Sequence, residues 1–257
     1  MLRRILLPLG PTQEVSPGME AALTIASLMG AEVTGLAILD TRTLRKKIGP
    51  VPAGGGAHAK EMAEDLLKEH RTKNQDVIRL FNEKATEMGV RHTIISHEGD
   101  PSDRIVAEAV YHDIVVVATD EFLHDKNDDH PWEPLEEILE DAITPVLAVP
   151  PGPKGQPKRI LIAFNGSLPS ARALRALAEF DAFKNSEVMI LMADEDQVTA
   201  ESVLANAVAY LKAHNFTTVG TQWTRKSILD SISQDWEQWA DLVVIGAHSK
   251  KGIFGKL

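Results

Sequence analysis

Near its C-terminal end the 257-residue chain reads Gly246-Ala247-His248-Ser249-Lys250-Lys251-Gly252-Ile253-Phe254-Gly255-Lys256-Leu257. Glycine lets backbone N–H groups approach an anion closely and adjacent lysines neutralise it, so this run has the chemistry of a polyphosphate cradle. A basic tail that binds nothing has the same composition, and the run alone does not separate the two. His248 could serve as an acid or base; the simpler reading is a loop side chain that packs on or hydrogen-bonds a ligand. A second concentration of polar groups is His124-Asp125-Lys126-Asn127-Asp128-Asp129-His130. Here His124, Asp128 and His130 could hold a divalent metal. The competing reading is a hydrated acidic loop in which Asp129 or His130 caps a helix opening at Pro131. No GxxxxGK[ST] run, serine-centred elbow or pair of carboxylates is found, so no catalytic residue is assigned and no dedicated enzyme is expected.

Composition narrows the field further. The absence of cysteine removes disulfides, thiolate nucleophiles and cysteine-ligated zinc. A net charge of −10 argues against a general nucleic-acid binder, which needs a surplus of lysine and arginine on some face. No apolar run is long enough to span a bilayer, and the stretch from Ile5 to Leu9 is too short for the core of a signal peptide, so a cytoplasmic protein without membrane contact is expected. With 44% hydrophobic residues the chain can bury one large core or two ordinary ones.

The elements that must position these residues come in two copies. Arg3-Arg4-Ile5-Leu6-Leu7-Pro8-Leu9-Gly10 aligns with Lys158-Arg159-Ile160-Leu161-Ile162-Ala163-Phe164-Asn165, and Ala31-Glu32-Val33 with Ser186-Glu187-Val188, at one common offset. Asp113-Ile114-Val115-Val116-Val117-Ala118 aligns with Asp241-Leu242-Val243-Val244-Ile245-Gly246 at a shorter one, so the second copy is more compact in between. Each apolar run reads as a buried strand. Between them, Met19, Ala22, Leu23, Ala26 and Met29 mark a helical face in the first copy, and Val203, Leu204, Ala207, Val208 and Leu211 one in the second. A long helix is expected to carry Ala63 to Met88, followed by a strand from Arg91 to His97. Asp100-Pro101-Ser102 opens a further helix, and Pro131 another before a strand from Pro145 to Val149. Trp236 and Trp239, with Ile228 and Ile232, follow helical spacing and read as core.

The segment 151–157, rich in proline and glycine, divides a first domain at 1–150 from a second at 158–257. The first carries 26 Asp+Glu against 15 Lys+Arg through residue 152, so all the excess negative charge lies there. Alternating strand and helix with strands too apolar to face water imply two tandem doubly wound parallel-sheet α/β domains. In such sheets ligands bind beyond the strands' carboxyl ends. The first copy continues 37 residues past Asp113 to Pro150 and the second only 16 past Asp241, so the second domain is expected to lack its last helix and strand.

Gly246 after the fourth strand, with Ser249 where a second glycine is expected, resembles the nucleotide loop of the universal stress protein family. Ile160 to Ser167 resembles that family's opening strand and turn, with Asn165 in place of the usual aspartate and Gly166-Ser167 retained. The likeness covers nearly the whole chain and implies a tandem, two-domain member with an adenine nucleotide hydrolase-like fold. It implies ATP or ADP, with or without Mg, bound for regulation. Adenine would lie near Ala163 and Met192, and ribose and phosphates between Asn165-Gly166-Ser167 and the loop carrying Gly246, His248, Ser249, Lys250, Lys251 and Gly252. In the first copy Gly10-Pro11-Thr12 replaces the turn, and Ala118-Thr119-Asp120-Glu121 presents carboxylates where phosphates would sit, so its site is expected to be degenerate. The two domains would form an internal pseudo-dimer, which could also associate as a homodimer with other protein partners. The alternative is a protein-interaction module of the same fold that binds no nucleotide.

Overall fold

The computed structural model describes residues 2–10, 14–41, 56–119, 133–152 and 156–246. The chain divides into two compact units, 2–154 and 155–257. In the N-terminal unit the elements run β1 (Arg4–Leu9), α1 (Pro17–Met29), β2 (Glu32–Asp40), α2 (Gly56–Glu87), β3 (Arg91–Gly99), α3 (Pro101–Ala109), β4 (Ile114–Ala118), α4 (Glu133–Asp141) and β5 (Val146–Val149). In the C-terminal unit they run β6 (Arg159–Ala163), α5 (Leu168–Glu179), β7 (Glu187–Ala193), α6 (Gln197–Ala213), β8 (Thr218–Thr224), α7 (Ile228–Ser231) and β9 (Leu242–Ile245).

Every strand pairing is parallel, with order β3-β2-β1-β4-β5 in one sheet and β8-β7-β6-β9 in the other. Right-handed crossovers therefore place α1 and α2 on one face of the first sheet and α3 and α4 on the other, and in the second sheet they place α5 and α6 together on one face. The central strands are fully buried because they are covered on both sides: Ile5, Leu6 and Leu7 are at most 1% exposed, as are Val115, Val116 and Val117. Among the described residues the second sheet has four strands, and β9 stands where the first sheet has β4.

The two units repeat one another down to single hydrogen bonds. One carboxylate oxygen of Asp113 accepts from the backbone N–H groups of Arg3 (2.7 Å) and Arg4 (2.9 Å). The corresponding oxygen of Asp241 accepts from Lys158 (3.0 Å) and Arg159 (2.9 Å). Each aspartate thus fixes the start of a central strand, at the end of the sheet opposite the candidate site. Burial alone would raise the Asp241 carboxyl, but the two backbone donors and the Arg159 guanidinium outweigh it and hold its pKa below the usual value of 3.8.

Helix ends follow local chemistry. Ser16 caps α1 by accepting from the Met19 N–H at 3.2 Å, Pro17 occupies a position whose N–H would be an orphan, and Gly30 closes the helix at φ +63°.

The alignment of strands extends to the helices. The partner of α1 is α5, which the apolar pattern did not reveal, and the partner of α6 is α2. Three features pair α6 with α2. Gly89 (φ +66°) and Asn215 (φ +69°) turn the chain after each helix. Val90 N–H donates to Ala85 O and Phe216 N–H to Leu211 O. Val90 and Phe216 are both buried. The shortening of the second copy falls between β7 and β8, where a 17-residue helix replaces one of 32. The edge strand β8 was also missed, because Thr218-Val219-Gly220-Thr221-Gln222-Trp223-Thr224 is polar and half-exposed. The tryptophan reading holds in its packing: Trp236 and Trp239 meet edge-on at 5.2 Å and pack on Leu161, Leu191 and Ile232. The backbone there is one short turn of α7 followed by a π turn over Ile232–Trp236.

Candidate functional site

The carboxyl ends of β6 and β9 lie side by side, with Ala163 paired in register with Ile245. Beyond Ala163 the Phe164 N–H still donates to Leu191 O at 2.9 Å, and the chain then turns through Asn165, Gly166 and Ser167 into α5. Gly166 makes the turn at φ +73°, a left-handed conformation that disfavours any side chain. The Asn165 side-chain oxygen accepts from the Ser167 N–H (3.1 Å) and from the Ser170 hydroxyl (3.0 Å), an Asx-type turn. The Ser170 hydroxyl also lies 3.0 Å from the Ser167 carbonyl, and its single proton serves one acceptor at a time. Asn165, Gly166 and Ser167 are all exposed.

Ser167 occupies the N-cap of α5 but makes no side-chain capping bond. The equivalent serine of α1, Ser16, closes its own helix by accepting from Met19. The Ser170 amide, which corresponds to that of Met19, therefore has no side-chain cap. An open helix N-terminus at the carboxyl edge of a parallel sheet, entered through a glycine turn, is suited to receive an anion.

Gly246, directly after β9, is explained by packing. A Cβ built on it would run into the backbone of Pro169 and Ser170 in the first turn of α5. The N-terminal unit has the same close approach with the roles exchanged. There Gly18 lies in the first turn of α1, and a Cβ on it would stand 2.8 Å from the backbone nitrogen of Ala118, at the end of β4. One partner must lack a side chain in each unit, and in the C-terminal unit it is the strand end. The segment after β9 consequently departs from a point pressed against the uncapped end of α5.

Met192 is 3% exposed and sits opposite Trp223 in the β7–β8 register. Its side chain belongs to the core, and the half-buried Ala193 and Asp194 are what this strand end offers to a ligand. The Trp223 indole donates to Asp194 O at 2.9 Å, and the Arg225 guanidinium stands 5.4 Å from the indole ring. Asp196 caps α6 by accepting from Val198 N–H (3.1 Å) and also accepts from the Thr199 hydroxyl. Chiefly through that hydroxyl, and then the Val198 amide, its carboxyl is held below the usual value.

The structure thus brings Asn165, Gly166, Ser167 and Gly246 together around the start of α5, and keeps Ala163 and Met192 as sheet residues beside them. His248, Ser249, Lys250, Lys251 and Gly252 lie outside the described residues, as do the metal candidates His124, Asp128 and His130 and the acidic pair Asp120-Glu121. Among the described residues no group of three or more metal-ligating side chains occurs, and no helix is long and apolar enough to cross a membrane. Ser170 was not anticipated; its place three residues after the N-cap was the available clue.

These features define a tandem pair of doubly wound parallel α/β domains with a candidate strand-end site in the second. The fold is that of the universal stress proteins. A universal stress protein from Archaeoglobus fulgidus DSM 4304 superposes with a TM-score of 0.60 at 19% identity, over 93% of this chain and 85% of the other. UspA from Lactobacillus plantarum matches with a TM-score of 0.43 at 18% identity, over 58% of this chain and 97% of its own. A universal stress protein in complex with cAMP matches with a TM-score of 0.40 at 16% identity, also over 58% and 97%. No protein-family model and no curated protein matches the sequence.

Proposed function

We propose that the chain is a tandem universal stress protein whose C-terminal unit binds an adenine nucleotide, ATP or ADP, for regulation. The reading rests on one asymmetry: the first helix of the N-terminal unit is capped by its own Ser16, whereas the matching helix of the C-terminal unit is left open beside Gly246. The phosphates would take the amides at the start of α5 and those of the segment 246–252, with Lys250 and Lys251 balancing charge. The adenine would lie toward Ala163 and the end of β7. The open helix N-terminus fits a phosphate chain. No set of carboxylates among the described residues fits a magnesium ion, so any magnesium would arrive on the nucleotide. Nucleotide occupancy would change the surface offered to a protein partner in the cytoplasm, another copy of the chain included. No water-activating base is assigned, and the regulatory role requires no catalysis, though slow hydrolysis of the bound ATP is compatible with it.

Asn165 favours a second reading, a nucleotide-free interaction module of the same fold, because its side-chain oxygen is already engaged by Ser167 and Ser170. Titration calorimetry with ATP, ADP and AMP, with and without magnesium, separates the two. Saturable binding weakened by Lys250→Ala/Lys251→Ala supports the nucleotide reading. Heats equal to buffer dilution at millimolar ATP leave the interaction module.

A further inference from the structure

The turn that leads from β6 into α5 carries Asn165-Gly166, and of the seven asparagines in the chain Asn165 alone is followed by glycine. Both residues are exposed. An asparagine side chain can be attacked at its amide carbon, Cγ, by the backbone nitrogen of the next residue, closing a cyclic imide. Glycine in that next position offers the least hindrance, because it has no Cβ and a wide choice of φ and ψ.

The surroundings set this pair apart from the other described asparagines. The Asn165 side-chain oxygen accepts from the Ser167 N–H at 3.1 Å and from the Ser170 hydroxyl at 3.0 Å. Donors placed there polarise the amide and stabilise the negative charge that develops on that oxygen when the carbon is attacked. Among the described residues neither Nδ2 of Asn165 nor the N–H of Gly166 has a hydrogen-bond partner, so the leaving group and the attacking nitrogen are both free. Elsewhere the attacking nitrogen is engaged. The Ser186 N–H, which follows the exposed Asn185, donates to Phe183 O at 3.0 Å, and the Phe216 N–H, which follows Asn215, donates to Leu211 O at 3.1 Å. Asn74, Asn82 and Asn206 lie inside α2 and α6, whose own hydrogen bonds occupy the next amide.

We propose that Asn165-Gly166 is a site of spontaneous deamidation in the folded protein. The Gly166 nitrogen loses its proton to solvent base and bonds to Cγ of Asn165; the Cγ–Nδ2 bond breaks, and Nδ2 takes up a proton and leaves as ammonia. Water then opens the imide. Breaking the new bond from the Gly166 nitrogen to Cγ leaves aspartate at position 165, and breaking the original main-chain bond leaves isoaspartate. The net change is one water consumed and one ammonia released, with nothing oxidised or reduced. The aspartate product keeps an acceptor for Ser167 and Ser170 and adds a negative charge beside the N-terminus of α5, where the helix dipole favours it. The isoaspartate product lengthens the backbone of the turn by a methylene. A change in phosphate affinity on conversion rests on the nucleotide reading; the modification itself does not, and its test uses no nucleotide.

Incubation of the full chain at pH 8, native and in urea, followed by tryptic peptide mapping, tests the proposal. The peptide 160–172 holds Asn165 as its one asparagine. The expected result is conversion of Asn165 to aspartate and isoaspartate in the native chain, at a rate no lower than in urea, with Asn185 unconverted in the native chain over the same period. Ser170→Ala should slow the native rate several-fold, the worth of one hydrogen bond, and leave the urea rate unchanged. Should that variant not fold, the comparison of native with unfolded wild-type chain still decides. A native rate well below the urea rate, equal conversion of Asn185 in the native chain, or an undiminished rate in folded Ser170→Ala would each overturn it.

Discussion

Replacing Gly246 with alanine would place a methyl group inside the backbone of Pro169 and Ser170, atoms that cannot rotate out of the way. Relief requires the end of β9 and the first turn of α5 to separate, and overpacking of this kind costs about 1–3 kcal/mol. For a domain of roughly 100 residues each kcal/mol lowers the thermal midpoint by about 4–8 °C. Gly220→Ala is the matched control. A Cβ there comes within 2.8 Å of a neighbour too, but that neighbour is the terminal methyl of Met189, a flexible side chain that can move aside. Its cost should stay below about 0.5 kcal/mol. Urea titration followed by tryptophan fluorescence suits the comparison, since all four tryptophans but one lie in the C-terminal unit. Gly246→Ala should also weaken ATP, because it moves the open helix end away from the segment that completes the cradle. Equal stability of the two variants would refute the claim that β9 and α5 meet backbone to backbone.

Other consequences follow from the paired devices of the two units. Ser16→Ala should cost about 1 kcal/mol of N-terminal-unit stability, whereas Ser167→Ala should cost less, since only Ser16 caps its helix; urea midpoints of the two variants measure the difference. His112 is 8% exposed, its Nδ1 lies 2.8 Å from Glu108 O and its Nε2 has no partner. Burial, followed by the Arg4 charge, lowers its pKa below 6.5, against the raising effects of the Glu108 carbonyl and carboxylate and of Asp113. The unfolded chain therefore takes up a proton that the native state resists, so stability should fall as the pH drops below 6.5, and His112→Phe should flatten that slope in urea midpoints measured from pH 7 to pH 5. Asp241 has a lowered pKa, so its contribution is present above the ordinary value of 3.8 and lost as the pH falls through the native one. Asp241→Asn should accordingly lower stability at neutral pH and reduce its acid dependence, as read from urea midpoints across that range.

How much of this was legible in the sequence depended on burial. The central strands announce themselves because both faces are covered, which forces near-continuous valine, isoleucine and leucine in β1, β4 and β6. The edge strand β8 escaped because partial exposure permits threonine, glutamine and glycine, and propensity alone does not overcome that polarity. Helix α5 escaped for a related reason: only Ser170, Leu174, Leu177 and Ala178 are buried along it. At the strand ends, Gly166 and Gly246 were readable as glycines with a purpose. That Gly246 is required by the backbone of α5, and that Ser167 leaves its helix uncapped, depend on tertiary geometry that no local pattern encodes.

The most direct test is an amide NMR titration of the full chain with ATP, read residue by residue. The account predicts saturable shifts at Ala163 to Ser170, Ala193, Asp194 and Gly246 onward, with Gly10, Ser16 and the end of β4 unmoved. Shifts centred on Ser16 and Ala118, or no saturable change at millimolar ATP, would contradict it.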